Sequence, residues 1–99
     1  MDREYFFHGQ GFIWDAEKAR SNVVNHGIGF EQACEVFFDP FCILEDASTD
    51  DERRDAIIGF TMNMLSLYVV YTERVGEMIR IISAREADPS ERALYEESQ

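Results

Sequence analysis

VYTERVGEMIRIISAREADPSER, residues 70–92, holds Arg74, Arg80, Arg85 and Arg92. These are four of only nine Lys and Arg residues, set against twenty Asp and Glu and a formal net charge of −11. A solvated surface needs no such gathering of scarce cations, whereas a site that grips an anion does. Arginine suits that task, because its planar fork stays charged and pairs with two oxygens at once. Arg80 is the strongest case. It is the lone cation in Met78–Ala84, a run apolar on both faces and therefore read as a central strand, where an unpaired charge is costly. Arg80 either pairs with a buried carboxylate or faces a cleft, and the cleft is the preferred reading. Arg85 has the opposite parity, so the two can address one anion only if the strand ends or bulges between them. Arg74 lies beside a turn and is read mainly as solvating it.

The elements that must position these side chains follow from caps and periodicity. Asp15 is a good N-cap for a helix from Ala16, with Ala16, Ala19 and Val23 on one face and Gly27 as the stop. His26 then sits in the last turn, where a charged imidazole complements the helix dipole. After Gly29, the residues Phe30, Ala33, Cys34, Phe37 and Phe38 fit a second helical stripe that Asp39-Pro40 ends. From Phe41 the period changes to two. FCILE, Arg54–Thr61, Leu65–Thr72 and Met78–Ala84 read as strands, and DASTDDE is an acidic loop. On the third of these strands Leu65, Leu67, Val69 and Tyr71 make an apolar face; Ser66, Tyr68, Val70 and Thr72 make a mixed, partly covered one. Asp88, Pro89 and Glu91 spell a capping-box start for a short helix over 89–97. The expected fold is α+β: two N-terminal helices packed on an antiparallel sheet of about four strands, a short C-terminal helix, and GFIW as a possible extra edge strand.

Ninety-nine residues with 45% apolar and 13% aromatic content make one domain, residues 1–99, with a real core. Cys34 and Cys42 sit inside apolar patterns and read as buried thiols, with neither disulfide nor metal spacing. No basic segment followed by an apolar stretch opens the chain, so no secretory signal is expected. The longest uncharged run falls short of the about 20 apolar residues of a spanning helix and reads as a hairpin. The expectation is a soluble, cytoplasmic protein with no membrane contact. No basic helix is available to enter a DNA groove, so direct DNA binding by this chain alone is not expected.

FIWDAEKARSNVVNHGIGFEQACEVFFDP, followed by YTERVGEMIRIISAREA and ER..YEE, resembles the BrnT family of ribonuclease toxins from type II toxin–antitoxin pairs. The resemblance implies a compact RelE-like fold and metal-independent RNA cleavage without a cofactor. It also implies a BrnA-like antitoxin, encoded nearby, that binds and neutralises the toxin. Carried over by position, it points to Lys18, His26, Arg54 and Arg80 as catalytic, with Arg74 and Arg85 as further basic contacts. Such cleavage needs a base for the 2′-hydroxyl, cations for the phosphorane charge, and an acid for the leaving oxygen. Imidazole suits the proton transfers near neutral pH, which gives His26 the acid or base role. Arg54, Arg80 and Arg85 would hold the phosphate, and Tyr68 on the mixed face could stack on a base.

The chain departs from the family's pattern in its charge. Asn25 stands where a lysine is common, and Glu86, Ala87 and Asp88 follow where a basic run is common. Two explanations are open. In one, the acidity is segregated away from the site, leaving an active ribonuclease. Alternatively, this member has lost strong RNA binding and serves as an antitoxin-binding interaction module, docking through its acidic loop and C-terminus. Convergence of Lys18, His26, Arg54, Arg80 and Arg85 on one pocket would favour the enzyme; scatter, or neutralisation of each by its own carboxylate, would favour the module.

Overall fold

In the computed structural model, which describes residues 1–73 and 76–99, two strands precede any helix. β1 (Asp2–Phe7) and β2 (Gln10–Asp15) pair antiparallel with Phe7 opposite Gln10, so His8 and Gly9 alone make the turn. Both turn residues take positive φ, 50° and 81°, as a type I′ hairpin requires. Asp15 caps α1 (Ala16–His26) by accepting from the Lys18 backbone N–H, and Gly27 closes the helix at φ 71°. α2 (Phe30–Ala33) runs on as a 3₁₀ stretch, Cys34–Phe38. Then come β3 (Ile43–Asp46), β4 (Asp55–Phe60), β5 (Ser66–Glu73), β6 (Ile79–Glu86) and α3 (Pro89–Glu97). The six strands form one sheet in the order β1-β2-β6-β5-β4-β3. Among the described residues, only β2 and β6 pair in parallel.

The expected four-stranded antiparallel sheet under two leading helices is therefore corrected to six strands with one parallel pairing. GFIW is not an edge: it lies in β2, covered by β1 on one side and β6 on the other. Asp2, Arg3 and Glu4 mask the alternation of β1, yet Tyr5 and Phe7 pack against the core. The second helix also departs from its expected stripe. Phe30, Ala33 and Cys34 of that stripe are fully buried and Phe37 packs against the core, but Val36 is fully buried as well, because Cys34–Phe38 winds as the tighter 3₁₀ turn. Phe38 is consequently 41% exposed. Gly59 permits this tight layer, because a Cβ there would lie 3.1 Å from the Val36 carbonyl oxygen and 3.3 Å from the Cys42 Cβ.

The core lies between one face of the sheet and the α1–α2–3₁₀ layer. Phe12, Trp14, Ile57, Leu67, Val69, Tyr71, Ile81 and Ala84 meet Ala19, Phe30, Ala33, Cys34 and Val36. On α1 the deep position belongs to Asn22, 5% exposed, while Val23, expected inside, is 51% exposed. Asn22 Nδ2 donates to the Ala84 carbonyl at 2.8 Å and to the Ile28 carbonyl at 2.9 Å, and its Oδ1 accepts from the Ala84 N–H at 3.1 Å. It thereby extends the ladder of β6, which β2 pairs only at Ile79 and Arg80. Across the other face α3 covers one end. The Tyr95 ring stands 5.2 Å from Phe60, and its hydroxyl donates to Asp39, which also accepts from the Phe41 and Phe60 N–H groups.

Candidate functional site

Register fixes which basic residues share a face. Thr72 stands opposite Arg80. Asp55 stands opposite Tyr71, and the β3–β4 ladder runs one step further through the Ala47 N–H to the Arg54 carbonyl, 3.0 Å. Alternation therefore puts Arg54 beside Thr72, and Arg54, Thr72 and Arg80 form one row across three adjacent strands, on the face away from α1 and α2. At the spacing of neighbouring strands the two arginine backbones are roughly 10 Å apart. Between Val70 and Tyr71 the register with β6 slips by one residue. This bulge turns Arg85 onto the same face as Arg80, the condition that their opposite parity demanded. Arg85 pairs across with Tyr68, its guanidinium carbon 4.4 Å from the ring centroid.

None of these arginines is unpartnered. Arg80 grips Asp2 with both terminal nitrogens, 2.7 and 3.2 Å, and its side chain is only 17% exposed. That hydrogen bond lowers the Asp2 carboxyl below its ordinary range and raises the Arg80 guanidinium. Arg54 bonds Glu52 at 2.9 Å. Arg85 holds Glu91 bidentately at 2.7 and 2.8 Å, and the contact raises the arginine. The choice posed for Arg80, carboxylate or cleft, is thus answered by a carboxylate, though Asp2 is a half-exposed one. Yet the row keeps spare donors. Arg54 Nε, Arg80 Nε and the Thr72 hydroxyl are each buried without a hydrogen-bond partner, and orphan donors side by side are what an anion seat provides.

Lys18 and His26 stand elsewhere, exposed on α1. With Asn22 they occupy positions i, i+4 and i+8 of one stripe, about 12 Å end to end. Among the described residues neither side chain has a hydrogen-bond or ion-pair partner. Arg74 lies outside the described residues. Tyr68 is half-buried, and burial is the first cause that raises its hydroxyl. The Cys34 thiol is pushed up by burial, with Glu31 and Glu35 adding to it, so it is an inert core group. Among the described residues no group of three His, Cys, Asp or Glu side chains could hold a metal ion. Sequence reasoning missed Thr72, Asp2 and Asn22. For Thr72 a signal existed, as it is a hydroxyl on the mixed face of a strand next to that of Arg80.

No curated protein matches the chain. The crystal structure of the Brucella abortus ribonuclease toxin BrnT, at 1.1 Å resolution, matches it with a TM-score of 0.61 and 26% identity. That match covers 78% of this chain and 95% of the Brucella one. The family model described as "Ribonuclease toxin, BrnT, of type II toxin-antitoxin system" fits residues 14–91. This stretch takes in the row, the bulge and Asn22, while β1 with Asp2 precedes it. With more than half of its length accounted for in this way, the chain belongs to the BrnT family of ribonuclease toxins of type II toxin–antitoxin systems.

Proposed function

We propose that this chain cleaves RNA without a metal ion, that Arg54, Thr72 and Arg80 seat a backbone phosphate, and that a cognate antitoxin holds the activity in check. The observation that carries the reading is the row of three buried, unpartnered donors on adjacent strands. Two permanent cations and a hydroxyl can offset charge that builds on a phosphorane. Arg85 and Tyr68, further along the same face, take the neighbouring nucleotide through a cation and a ring. The row contains no base, so proton transfer falls to a group outside it. His26 is the imidazole carried over from the family, and Lys18 the lysine carried over on the same helix.

The test is cleavage of an unstructured RNA in excess chelator by wild type, Arg54→Ala, Arg80→Ala, Thr72→Val and His26→Ala proteins of confirmed fold. Loss of one such stabilising donor costs roughly 10²–10³-fold in rate. Undiminished cleavage by the two arginine variants would overturn the seat, and loss of wild-type activity in chelator would overturn metal independence.

A second reading has its own observation. Lys18 and His26 stand apart from the arginine row, and Arg54, Arg80 and Arg85 are each paired with a carboxylate; this is the scatter and neutralisation named above as favouring the module, and RNA must displace three acids to reach the row. A chain that binds its antitoxin tightly but leaves RNA intact would be the interaction module.

A further inference from the structure

We infer that an apolar groove at the Phe60 end of the sheet is the docking seat for the partner protein, and that it takes a segment bearing apolar side chains next to Lys or Arg. This rests on the two-component reading above. The groove encloses about 530 Å³ between the 3₁₀ stretch, the turn after β4 and α3. Phe38, Phe41, Phe60, Met62, Met64 and Tyr95 line it. Several stand well out in solvent: Phe41 is 60% exposed, Met62 74% and Met64 70%. Single exposed apolar residues are ordinary, but a contiguous apolar groove marks an interaction surface.

The turn that presents the methionines is built, not slack. The Thr61 N–H donates to the Leu65 carbonyl, the Met64 N–H to the Thr61 carbonyl, and the Leu65 N–H to the Thr61 hydroxyl oxygen. The Met62 N–H is held by Glu35 at 2.9 Å. Met64 is fixed at φ 68°, a left-handed conformation that a residue with a side chain adopts at a cost. Nothing within the described chain repays that cost by burying either methionine. Methionine is also the apolar side chain best able to reshape itself around a partner.

Charge selects the occupant. Among the described residues Glu35 and Asp39 line the groove together with His8 and no Lys or Arg, and neither carboxylate has an ion-pair partner. A second copy of a −11 chain would bring like charges together, and nucleic acid would meet the same repulsion. A basic segment with apolar anchors meets neither obstacle. Phe60 ends the strand that Arg54 leads into, so the groove lies about 20 Å from the arginine row. Docking and cleavage can therefore be altered separately.

The experiment titrates the full chain with the antitoxin encoded beside it, by calorimetry, and compares Met62→Glu and Phe41→Glu with wild type. Both positions are exposed, and thermal melts confirm that each variant folds. Each variant should weaken binding roughly 30-fold or more, the mark of an interface hot spot. RNA cleavage by the free variants should stay at the wild-type rate, and Glu35→Gln should flatten the salt dependence of binding. Wild-type affinity in both charge variants would overturn the groove while leaving the two-component reading intact. Failure of wild type to bind the antitoxin would remove that reading and the occupant with it. A wild-type dimer that Met62→Glu turns into a monomer would assign the groove to a second copy and overturn the inference.

Discussion

Replacing Asn22 by alanine should cost this protein about 3 kcal/mol. Asn22 is 5% exposed, and its amide satisfies three backbone groups: the Ala84 N–H, the Ala84 carbonyl and the Ile28 carbonyl. Ala84 is fully buried and Ile28 is 3% exposed, so the truncation strips partners from groups that water reaches poorly. An orphaned buried group costs about 1–3 kcal/mol. Three at the lower bound give about 3 kcal/mol, and any water admitted to the space works against a larger loss. For a domain of this size that corresponds to a fall in melting temperature of roughly 12–24 °C. Urea denaturation is the assay, with Val24→Ala as control, because Val24 is 83% exposed and should shift stability by no more than about 0.5 kcal/mol. The loss should appear in the midpoint at constant m-value. A loss under about 1 kcal/mol would mean that β6 finds other partners for Ala84, and the account of how α1 is fastened to the sheet would be wrong. Activity bears on the same joint, since Asn22 sits one turn from both Lys18 and His26 and fixes their helix to the strand that carries Arg80 and Arg85.

Asp2→Asn should strengthen RNA binding, because the carboxylate occupies the guanidinium that the phosphate needs; the plot of log affinity against log salt should steepen by roughly 0.7, one single-strand phosphate contact. An unchanged slope would mean that Arg80 does not touch RNA. Glu91→Ala removes the side-chain half of the capping box of α3, leaving Asp88 still bonded to the residue-91 N–H, and it removes the partner of Arg85. It should cost roughly 1–2 kcal/mol, from the Asp88 N–H left without its acceptor and from the lost pair with Arg85, in which the glutamate is buried and the arginine partly exposed; melting temperature and helical circular dichroism report it. Burial first, and then the bond to Asp39, push the Tyr95 hydroxyl up to about 12 from its ordinary 10.0. A raised tyrosine contributes stability in full below the unfolded value and loses it as pH climbs through the folded one. Stability should therefore decline between pH 10 and about 12, and Tyr95→Phe should shrink the part of that decline due to this group, as measured by denaturation across the range.

Local chemistry made several elements legible in the chain. Asp15 and Gly27 bracket α1, and Asp88, Pro89 and Glu91 start α3, because a cap is an interaction among neighbours in sequence. The alternation of Leu67, Val69 and Tyr71 gave β5 its buried face, because strand parity is a local property. Other features depended on partners far along the chain. β1 is a strand because β2 folds back on it, and its charged start hid the pattern. The α2 region tightens into a 3₁₀ turn because Gly59, on another element, admits the backbone so closely.

The sequence by itself determined the family, the caps, the parity of β5 and the scarcity of cations. Tertiary structure alone decided where those cations went. Register set Arg54 and Arg80 on either side of Thr72, and a one-residue bulge brought Arg85 round to join them. A strand that precedes the family match supplied Asp2 to Arg80. Which charge neutralises which depends on distances between residues remote in sequence, and those distances exist only once the sheet has closed.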